Sequence, residues 1–417
     1  MPLRPPAETR RGPGFARLFS AALLGFEGAL ALSTGYLLAL LAAARDSTRN
    51  PVAATAVAGE PMRLAVLVPA HDEEGGIGAT LESLAACEYP LDARRIVVIA
   101  DNCSDGTAAR SSRAGAQVWE RTDPSRRGKG FALIWALQRL FEEEDSFDAV
   151  VMVDADCVAS PNMLSAIDRR LRSGASAVQV DYVAGNPEDS HVSALRFGAF
   201  ALADTVRFLG KQRLGLSCGL VGTGMGFTRG LLQRAPWTAT GLVEDGEYHL
   251  RLVLAGERAE FIPEASVSQA VPTSMRASSE QQARWERGRL QLIRHWSPRL
   301  LASGLARRDV VRVHAGLECL LPPQSVIAAG NLGSLLAGRF LGSRRLLSLS
   351  ALSIAGQITF VLAGLRLVRA PAHVYRALLL APALVAAKLG LYARFLLGRG
   401  PSGWVRTERE AAPGAGP

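Results

Sequence analysis

The stretch Ala149-Val150-Val151-Met152-Val153-Asp154-Ala155-Asp156 joins a short apolar run to two acidic side chains. The run is rich in β-branched residues and shorter than an average helix, which is typical of a buried strand. Side chains two positions apart share one face of a strand, so Asp154 and Asp156 are expected side by side where it ends. Two such carboxylates repel unless a cation lies between them, and hard oxygen ligands suit Mg²⁺ or Mn²⁺. A solvated turn or a helix cap is the alternative.

Two earlier apolar runs, residues 64–68 and 96–100, show the same pattern of a short strand followed by a polar loop and a helix. After the first run a helix is expected from Ile77 to about Leu84. This alternation predicts an α/β domain with a mostly parallel sheet and helices on both faces. Ligands of such sheets bind beyond the carboxyl ends of the strands.

Acidic residues follow each of these strands at that position. The motif His71-Asp72-Glu73-Glu74 comes after the first, and Asp101 and Asp105 come after the second. Any one of these clusters is equally well explained as the N-cap of the next helix. Carboxylates gathered at one sheet edge require a cation or a hydrogen-bonding polyhydroxyl and amide ligand, and a nucleotide with a metal ion supplies all of these.

Cationic and glycine-rich loops add to this picture. In Arg126-Arg127-Gly128-Lys129-Gly130 the lysine stands at the start of an expected helix from Phe131 to Leu140, where it can reach a phosphate. The alternative is a solvated basic turn. The stretch Gly222-Thr223-Gly224-Met225-Gly226 is flexible backbone, useful where a ligand passes close to the chain.

Two later groups of residues can perform chemistry. Glu244 and Asp245 precede a helical pattern, and such a carboxylate can accept a proton from an attacking hydroxyl. An acidic first turn that complements the helix dipole is the alternative. Gln281, Arg284 and Trp285 fall at i, i+3 and i+4 on one helix face, where they can bind a phosphate and stack under a sugar ring. An amphipathic helix lying on a membrane is compatible with the same pattern.

The composition restricts the class of protein. The 417 residues are 48% hydrophobic, with a formal net charge of +9 and a pI near 9.8. No interleaving of basic and aromatic residues indicates a nucleic-acid surface, so we expect no nucleic acid as partner and take membrane lipid as the anionic partner. The five cysteines form no Cys-x-x-Cys pair, which favours reduced thiols in a cytosolic domain over disulfides or a zinc site.

Long apolar segments lie toward both ends of the chain. Residues 19–44, interrupted only by Glu27, are long enough to cross a bilayer and predict a retained anchor helix. Of the later segments 313–338, 345–365 and 374–397, we expect two or three to be membrane helices. Pro322 and Pro323 mark the first of these as an interfacial or broken helix.

These patterns divide the chain into four parts. They are an N-terminal tail and anchor (1–61), a catalytic α/β domain (62–300), interfacial and transmembrane helices (301–400), and a partly disordered tail (401–417).

Taken in order, the motifs resemble those of membrane-bound family-2 glycosyltransferases such as cellulose, chitin, hyaluronan and poly-N-acetylglucosamine synthases. The similarity covers about residues 62–300 and depends on the following segments: Pro69-Ala70-His71-Asp72-Glu73, Asp101-x-x-Ser104-Asp105-Gly106-Thr107, Arg127-Gly128-Lys129-Gly130, Asp154-x-Asp156, Gly222-Thr223-Gly224, Glu244-Asp245 and Gln281-x-x-Arg284-Trp285. The resemblance implies an A-type nucleotide-diphospho-sugar transferase domain flanked by transmembrane helices.

The resemblance also implies a role for each matching residue. Asp245 would be the catalytic base and Asp156 the metal ligand for Mg²⁺ or Mn²⁺. The donor nucleotide sugar would be bound by Asp72, Glu73, Asp101, Lys129 and Asp154. The diphosphate and the acceptor would be held by Glu244, Gln281, Arg284 and Trp285. The family pattern usually has Asn where this chain has Asp72.

The resulting hypothesis is an inverting membrane hexosyltransferase. It would move a sugar from a nucleotide-sugar donor, expected to be a UDP-sugar, to a polysaccharide or lipid acceptor in cell-surface or exopolysaccharide synthesis. Because nucleotide sugars are cytosolic, the catalytic domain of this multi-pass cell-membrane protein is expected in the cytoplasm. The alternatives are a single-transfer enzyme with a polyprenyl phosphate or glycolipid acceptor, and a non-catalytic scaffold that binds nucleotide sugars.

Overall fold

A computed structural model describes residues 13–49, 59–143, 147–383, 385–386 and 389–390. The chain forms two compact units. The sheet unit comprises Leu40–Leu321 and Ala363–Pro417, and the helical unit comprises Met1–Ala39 and Pro322–Leu362. The expected disordered tail, 401–417, lies outside the described residues.

The sheet unit is built on one eight-stranded sheet with the strand order β3-β2-β1-β4-β7-β6-β8-β5. The strands are β1 Leu64–Ala70, β2 Arg94–Asp101, β3 Gln117–Arg121, β4 Ala149–Met152, β5 Cys157–Ala159, β6 Ala177–Ala184, β7 Met225–Thr228 and β8 Ala259–Gln269. The three strands read from the sequence are β1, β2 and β4, and they are parallel neighbours.

The sheet is mostly parallel, as expected, but it is mixed because two strands run in the opposite direction. β7 runs antiparallel to both β4 and β6, and β5 runs antiparallel to β8, whereas the remaining pairs are parallel. The same apolar side chains suit either direction of pairing, because alternation along a strand defines its faces and not the direction of its neighbour. The two antiparallel strands are also short, with four and three residues.

Both faces of the central strands are buried under helices. Val66 and Val68 of β1 pack on one face with residues of α2 and α5, in a cluster that includes Leu81 and Ile167. Leu67 of β1 points to the opposite face, where α4 packs against β1 and β2, and it is also fully buried. Burial on both faces explains why these strands are nearly continuous apolar runs.

The helices of the sheet unit surround this sheet or follow it in the chain. They are α2 Ile77–Ala85, α3 Thr107–Arg113, α4 Lys129–Glu142, α5 Met163–Arg172, α6 His191–Phe200, α7 Arg207–Arg213, α8 Arg229–Arg234, α9 Glu244–Ala255, α10 Met275–His295, α11 Ser297–Arg307, α12 Val310–Leu320 and α15 Ala372–Ala377. A π-helical segment, Ala201–Val206, joins α6 to α7.

The remaining helices are long and apolar. They are α1 Pro13–Arg49, α13 Gln324–Leu341 and α14 Arg344–Leu367. In the described part of the chain, two segments are long and apolar enough to cross a membrane, Ser20–Asp46 in α1 and Arg344–Leu367, which is α14. They correspond to the segments 19–44 and 345–365 expected from the sequence.

The other two apolar segments are not continuous membrane-length helices where the structure describes them. The segment 313–338 is divided between α12, which ends at Leu320, and α13, which begins at Gln324. Pro322 and Pro323 separate them, because proline cannot donate the backbone hydrogen bond that would continue the helix. In the segment 374–397, α15 ends at Ala377 and residues 391–397 lie outside the described part.

Candidate active site

The carboxyl ends of β1, β2 and β4 meet at one edge of the sheet. β1 lies between the other two strands, with Ala70 opposite Ala100 and Leu67 opposite Met152. The polar loops after these strands are therefore neighbours, as the sequence predicted. His71 Nδ1 lies 2.7 Å from the carbonyl oxygen of Asp101, which joins the first loop to the second.

Lys129 links three other parts of this edge. Its Nζ lies 2.5 Å from Asp154 Oδ1 after β4 and 3.9 Å from Glu244 Oε1 at the start of α9. It also donates a hydrogen bond of 2.7 Å to the carbonyl oxygen of Gly222. Lys129 is the first residue of α4 and follows the basic loop that is predicted to approach a phosphate. Its side chain contacts the acidic loop after β4 and the acidic first turn of α9.

Gly222 allows these groups to come together. Its φ of +88° is a conformation that residues with a β-carbon rarely adopt. A β-carbon at this position would also lie 3.2 Å from both Asp245 Oδ2 and Lys129 Nζ. The catalytic base expected from the sequence therefore shares a wall of the site with Lys129.

The buried charges shift one another's pKa values. Burial alone would lower the pKa of Lys129, but the carboxylates of Asp154 and Glu244 raise it further than burial lowers it, so this amine stays charged. Burial raises the pKa of Glu244 to about 7 and also raises the pKa of Asp245, although Lys129 opposes both shifts. A carboxylate whose pKa is raised toward neutrality is a better proton acceptor for a hydroxyl than an ordinary surface carboxylate.

Among the residues that the structure describes, Asp154 and Asp156 belong to one of two groups whose ligand atoms are spaced for a metal ion. Together with the Cys157 Sγ, their oxygens lie within 4.8 Å of one another. Burial raises the pKa of the Cys157 thiol well above its usual value, so this thiol stays protonated and is a poor ligand. The two carboxylates remain as hard oxygen ligands, which fits Mg²⁺ or Mn²⁺.

The loop that carries Asp154 and Asp156 is held by two side chains that the sequence motifs did not predict. Gln269, at the end of β8, donates from Nε2 to Asp156 Oδ2 at 2.6 Å. The Thr223 hydroxyl accepts a hydrogen bond of 3.1 Å from the backbone N–H of Asp154. The glycine-rich stretch predicts flexible backbone near a ligand and gives no signal for this role of Thr223.

The second group of potential ligands comprises Asp72, Cys103 and Asp105. Its carboxylates accept hydrogen bonds from the backbone instead. Ser104 donates its N–H to Asp72 at 2.6 Å, and Asp105 accepts from the N–H groups of Thr107 and Glu74 at 2.9 and 3.1 Å. By accepting these hydrogen bonds, the two carboxylates position the loops after β1 and β2 relative to each other.

The backbone conformation of Asp72 explains why this chain can have Asp where the family pattern usually has Asn. Its φ of 53° lies in the left-handed region, which asparagine and aspartate tolerate better than other residues with a side chain. Either residue therefore suits this turn. The next residue, Glu73, is fixed by a hydrogen bond of 2.8 Å from its N–H to the Thr107 hydroxyl.

Asp101 is paired with an arginine that the sequence did not point to. Arg121, at the end of β3, lies 2.5 Å from Asp101 Oδ1, and the two side chains are only 6% and 8% exposed. Asp101 does not cap α3, because the N-cap of that helix is Gly106. No local pattern identifies Arg121, since the pairing of β2 with β3 brings it opposite Asp101.

The Gln281-x-x-Arg284-Trp285 motif lies within α10, and its residues contact two different parts of the protein. Gln281 accepts a hydrogen bond of 2.9 Å from Arg196 of α6, and Trp285 packs 6.1 Å from Phe200 of the same helix, measured between ring centroids. Burial raises the pKa of Asp154, and the positive charge of Arg284 is near enough to oppose this rise. The motif thus presents a cation to the acidic loops and an aromatic ring to α6.

Further carboxylates lie near the site without having been anticipated. Burial raises the pKa of Asp181 to about 6 and that of Asp204 to about 7. Asp204 belongs to the π-helical segment, and the charge of Asp245 is among the causes that raise its pKa. Thr205 donates a hydrogen bond of 2.7 Å to Asp181. A π-helical turn has an irregular side-chain period, so the position of Asp204 could not be inferred from helical spacing.

The mixed sheet, with acidic loops at the carboxyl ends of its strands, is an α/β fold of the GT-A-like class. The sequence model for the family described as "Glycosyltransferase like family 2" matches residues 61–288, more than half of the chain. The chain therefore belongs to glycosyltransferase family 2.

Relatives from several organisms agree with this assignment. The chain is 28% identical over 292 residues to an N-acetylglucosaminyltransferase of Sinorhizobium fredii, covering 64% of this chain and 68% of the relative. It is 26% identical over 236 residues to the probable glycosyltransferase YdaM of Bacillus subtilis, covering 54% and 55%. The chain thus spans between half and about two thirds of the length of these relatives.

A solved structure shares the fold. The mannosyltransferase PcManGT of Pyrobaculum calidifontis, in complex with GDP-Man and Mn²⁺, superposes with a TM-score of 0.52 at 20% identity. The match covers 82% of this chain and 97% of that protein. At this identity the similarity establishes the fold alone.

Proposed function

We propose that this protein is an inverting, membrane-associated hexosyltransferase that moves a sugar from a nucleotide-sugar donor to a polysaccharide or lipid acceptor. The observation that carries the proposal is the contact of Lys129 with Asp154 and Glu244, beside Asp245. One fixed cation among several acids matches a site that must hold a diphosphate and also accept a proton.

The donor would lie along the carboxyl edge of the sheet. Asp72, Glu73 and Asp101 are proposed to surround the nucleoside, with Asp101 fixed by Arg121 and Asp72 by Ser104. Lys129 and Arg284 would contact the diphosphate. Because Lys129 keeps its charge, it can stabilise the negative charge that develops on the departing nucleoside diphosphate.

Asp156, with Asp154 beside it, would hold Mg²⁺ or Mn²⁺. The donor set fits such an ion, since it consists of carboxylates close together next to a protonated thiol. When bound, the ion would neutralise charge on the diphosphate. The Mn²⁺ in the complex of PcManGT is consistent with this assignment.

Asp245 is proposed as the base. It would accept the proton of an acceptor hydroxyl while that oxygen attacks the anomeric carbon from the side opposite the leaving group. A single displacement inverts the anomeric centre. Its position in the first turn of α9 is fixed by a hydrogen bond of 2.7 Å from the N–H of Gly246 to its Oδ1.

The acceptor would lie against Trp285 and Gln281. Trp285 is partly exposed and belongs to an aromatic group with Phe200 and Tyr182, in which neighbouring rings are 6.1 and 5.1 Å apart. Aromatic faces bind sugar rings through apolar and stacking contacts. The N-acetylglucosaminyltransferase among the relatives makes UDP-N-acetylglucosamine the first donor to test.

Membrane attachment is proposed from the apolar helices. Only 22% of the apolar window in α14 is buried within the protein, and Leu352, Ile358 and Leu362 are exposed on it. α13 also exposes Leu332, Leu336 and Phe340, although it falls short of a membrane-spanning candidate. Exposed apolar side chains on long helices suit a lipid environment. We therefore propose a multi-pass cell-membrane protein whose sheet unit faces the cytoplasm, where nucleotide sugars are found.

The test is the release of nucleoside diphosphate by the purified full chain in lipid vesicles with Mg²⁺ or Mn²⁺. The donor panel includes UDP-N-acetylglucosamine, UDP-glucose and GDP-mannose, with membrane extract as the source of acceptor. We expect turnover with one donor and a decrease of about 10²–10⁴-fold in Asp245→Asn, because a positioned general base contributes this much. Asp92→Asn, at an exposed position, is the matched control.

The products separate the remaining alternatives. A product that never grows beyond one sugar on a lipid would identify the single-transfer enzyme instead of a chain synthase. Donor binding without turnover in both the wild type and Asp245→Asn would overturn the catalytic proposal and indicate a scaffold that binds nucleotide sugars.

A further inference from the structure

A buried arginine of α6 lies against the helix that carries the Gln281-x-x-Arg284-Trp285 motif. Arg196 is 8% exposed, and its Nη1 donates a hydrogen bond of 2.9 Å to Gln281 Oε1. The central carbon of its guanidinium, Cζ, lies 5.5 Å from the centroid of the Trp285 ring. One side chain thus contacts two of the three motif residues that share a face of α10.

The burial of Arg196 is costly, so its contacts have to compensate. Charged side chains are almost never buried without partners. Burial lowers the pKa of Arg196 to about 10, which still leaves the guanidinium charged at neutral pH. A charged donor makes a stronger hydrogen bond than a neutral one, and a cation near an aromatic ring is attracted to its face. Arg196 therefore holds both side chains more firmly than an apolar residue could.

The hydrogen bond from Arg196 fixes the direction of the Gln281 amide. A guanidinium can only donate, so the amide has to turn its oxygen toward Arg196 and its nitrogen the other way. The two N–H groups of that nitrogen then point away from the guanidinium, and they are suitable donors for a hydroxyl oxygen. Without Arg196 the amide could adopt either orientation. Arg196 thus determines that Gln281 acts as a donor toward a ligand.

The Trp285 ring is held by two residues of α6. Besides the guanidinium, it packs against the ring of Phe200, with 6.1 Å between the centroids and 55° between the planes. Phe200 lies four residues after Arg196, on the same face of the helix. A ring that is already held loses little side-chain freedom when a sugar stacks on it, which makes the sugar bind more tightly.

The same aromatic group reaches the loop of the proposed metal ligand. Phe200 packs 5.1 Å from Tyr182, whose hydroxyl donates a hydrogen bond to Gln269 Oε1. Gln269 in turn donates to Asp156. The hydrogen bonds at this end are made by Tyr182 and Gln269, so they should remain in place when Arg196 is replaced.

We propose that Arg196 is a positioning residue for the acceptor, which sets the affinity of the enzyme for that substrate by holding Gln281 and Trp285. The inference rests on the proposed function, in which these two residues contact the acceptor. It goes beyond that function because Arg196 stands outside every motif of the sequence. Loss of Arg196 should weaken acceptor binding and leave the transfer of the sugar to water unchanged.

The test compares two rates of the purified full chain in lipid vesicles with Mn²⁺ and the donor that the panel identifies. Release of nucleoside diphosphate without acceptor measures transfer of the sugar to water. The same release, measured as membrane extract is added, gives the half-saturating amount of extract. In Arg196→Met that amount should rise about 10-fold, because a hydrogen bond from a charged donor is lost. The rate without acceptor, the rate at saturating extract and the KM for the donor should stay unchanged.

Two further single variants separate positioning from a general loss of structure. Arg229→Met removes another arginine from an aromatic contact, 4.9 Å from the Phe147 ring, and should leave the half-saturating amount unchanged. Arg196→Lys keeps the charge but not the planar fork of donors, so it should give an intermediate increase. It also replaces Arg196→Met if that variant does not fold.

A double variant tests whether Arg196 acts through Gln281. Arg196→Met combined with Gln281→Ala should raise the half-saturating amount by less than the product of the two single effects, because one contact joins the two residues. Independent effects would show that Arg196 acts elsewhere and would overturn the inference.

The remaining outcomes distinguish this inference from the proposed function. An unchanged half-saturating amount in Arg196→Met and Arg196→Lys would overturn the inference alone. A rate without acceptor that falls as much as the rate with extract would also overturn it, since Arg196 would then support the fold or the displacement. If the wild type releases nucleoside diphosphate from no donor, the proposed function fails and this inference fails with it.

Discussion

The sheet unit and the helical unit treat buried carboxylates in opposite ways. At the edge of the sheet, Asp101 is paired with Arg121, Asp154 with Lys129, and Asp156 with Gln269. Glu27 in the helical unit is fully buried, and its polar neighbours are the hydroxyl groups of Ser334 and Ser350. At the edge of the sheet, nitrogen donors thus hold these acids in place before any ligand arrives, whereas the helical unit offers Glu27 only hydroxyl groups among the neighbours that act on its charge.

The difference follows from the sequences of the two units. The loops and strand ends of the sheet unit are rich in Arg and Lys, while the segments 20–39, 324–338 and 346–362 of the helical unit contain none. A preorganised set of charges is valuable where charge changes during a reaction, because the surrounding dipoles do not have to reorganise.

The largest expected effect comes from removing the partner of Asp101. Arg121→Met should destabilise the protein by about 3–5 kcal/mol, because it leaves a buried carboxylate without its cation. Chemical unfolding of the full chain measures this change. Arg63→Met, which removes one half of the exposed pair with Asp148, should cost about 0–1 kcal/mol. If the two substitutions are equally mild, the sheet unit does not depend on its buried ion pair.

Lys129→Met should lower turnover by about 10²–10³-fold. The reason is that it removes a fixed positive charge from the place where the diphosphate is proposed to depart. Steady-state release of nucleoside diphosphate measures the effect. Arg126→Met is the matched control in the same loop, since its side chain is 70% exposed. A Lys129→Met enzyme that keeps more than a tenth of wild-type turnover would show that the charge is not required.

Gln269→Ala should weaken Mn²⁺ binding by about 10–100-fold without abolishing the fold. Gln269 orients Asp156 by its hydrogen bond of 2.6 Å, and partners of metal ligands commonly contribute this much to affinity. Calorimetric titration of Mn²⁺ into the purified protein gives the affinity. Gln117→Ala, on an exposed position of β3, should bind as the wild type does. Unchanged affinity in Gln269→Ala would mean that Asp156 is positioned without it.

The last prediction concerns the pH dependence of stability and the carboxylate of Asp204. Burial raises its pKa from 3.8 to about 7, so between these values the folded state keeps a proton that the unfolded chain has released. Stability is therefore fully supported below pH 4 and decreases as pH rises toward 7, by about 1 kcal/mol per pH unit.

Asp204→Asn should remove this part of the pH dependence. Thermal midpoints of the wild type and the variant, measured from pH 5 to 8, should converge at low pH, with the variant more stable at high pH. Asp92→Asn controls for the loss of one negative charge at an exposed position. Parallel curves for the wild type and Asp204→Asn would contradict the raised pKa.

Much of the fold was predictable because strands β1, β2 and β4 are continuous apolar runs that end in acidic loops. The parallel neighbours and their common edge followed from the alternation of strands and helices. The antiparallel β7 and β5 did not, because their few residues carry no signal for direction. The broken helix at Pro322 and Pro323 was predictable from the chemistry of proline alone.

The candidate site divides in the same way. Asp154, Asp156, Lys129 and Asp245 stand in local motifs whose spacing suggests their chemistry. Arg121 and Gln269 lie in no motif, and Thr223 stands in a glycine-rich motif that gives no signal for its hydrogen bond. They reach the acids only after strands distant in sequence have paired, so their partners could not be read from the chain.

The sequence by itself determined which residues are acidic, basic or apolar at each strand end and along each helix. Local propensity and side-chain period depend only on near neighbours, and those neighbours are in the sequence. The tertiary structure alone decided which nitrogen meets which carboxylate, and that Glu27 meets none. Such contacts join residues from separate elements, as with Gln269 and Asp156, and a burial or a pKa depends on everything packed around a group.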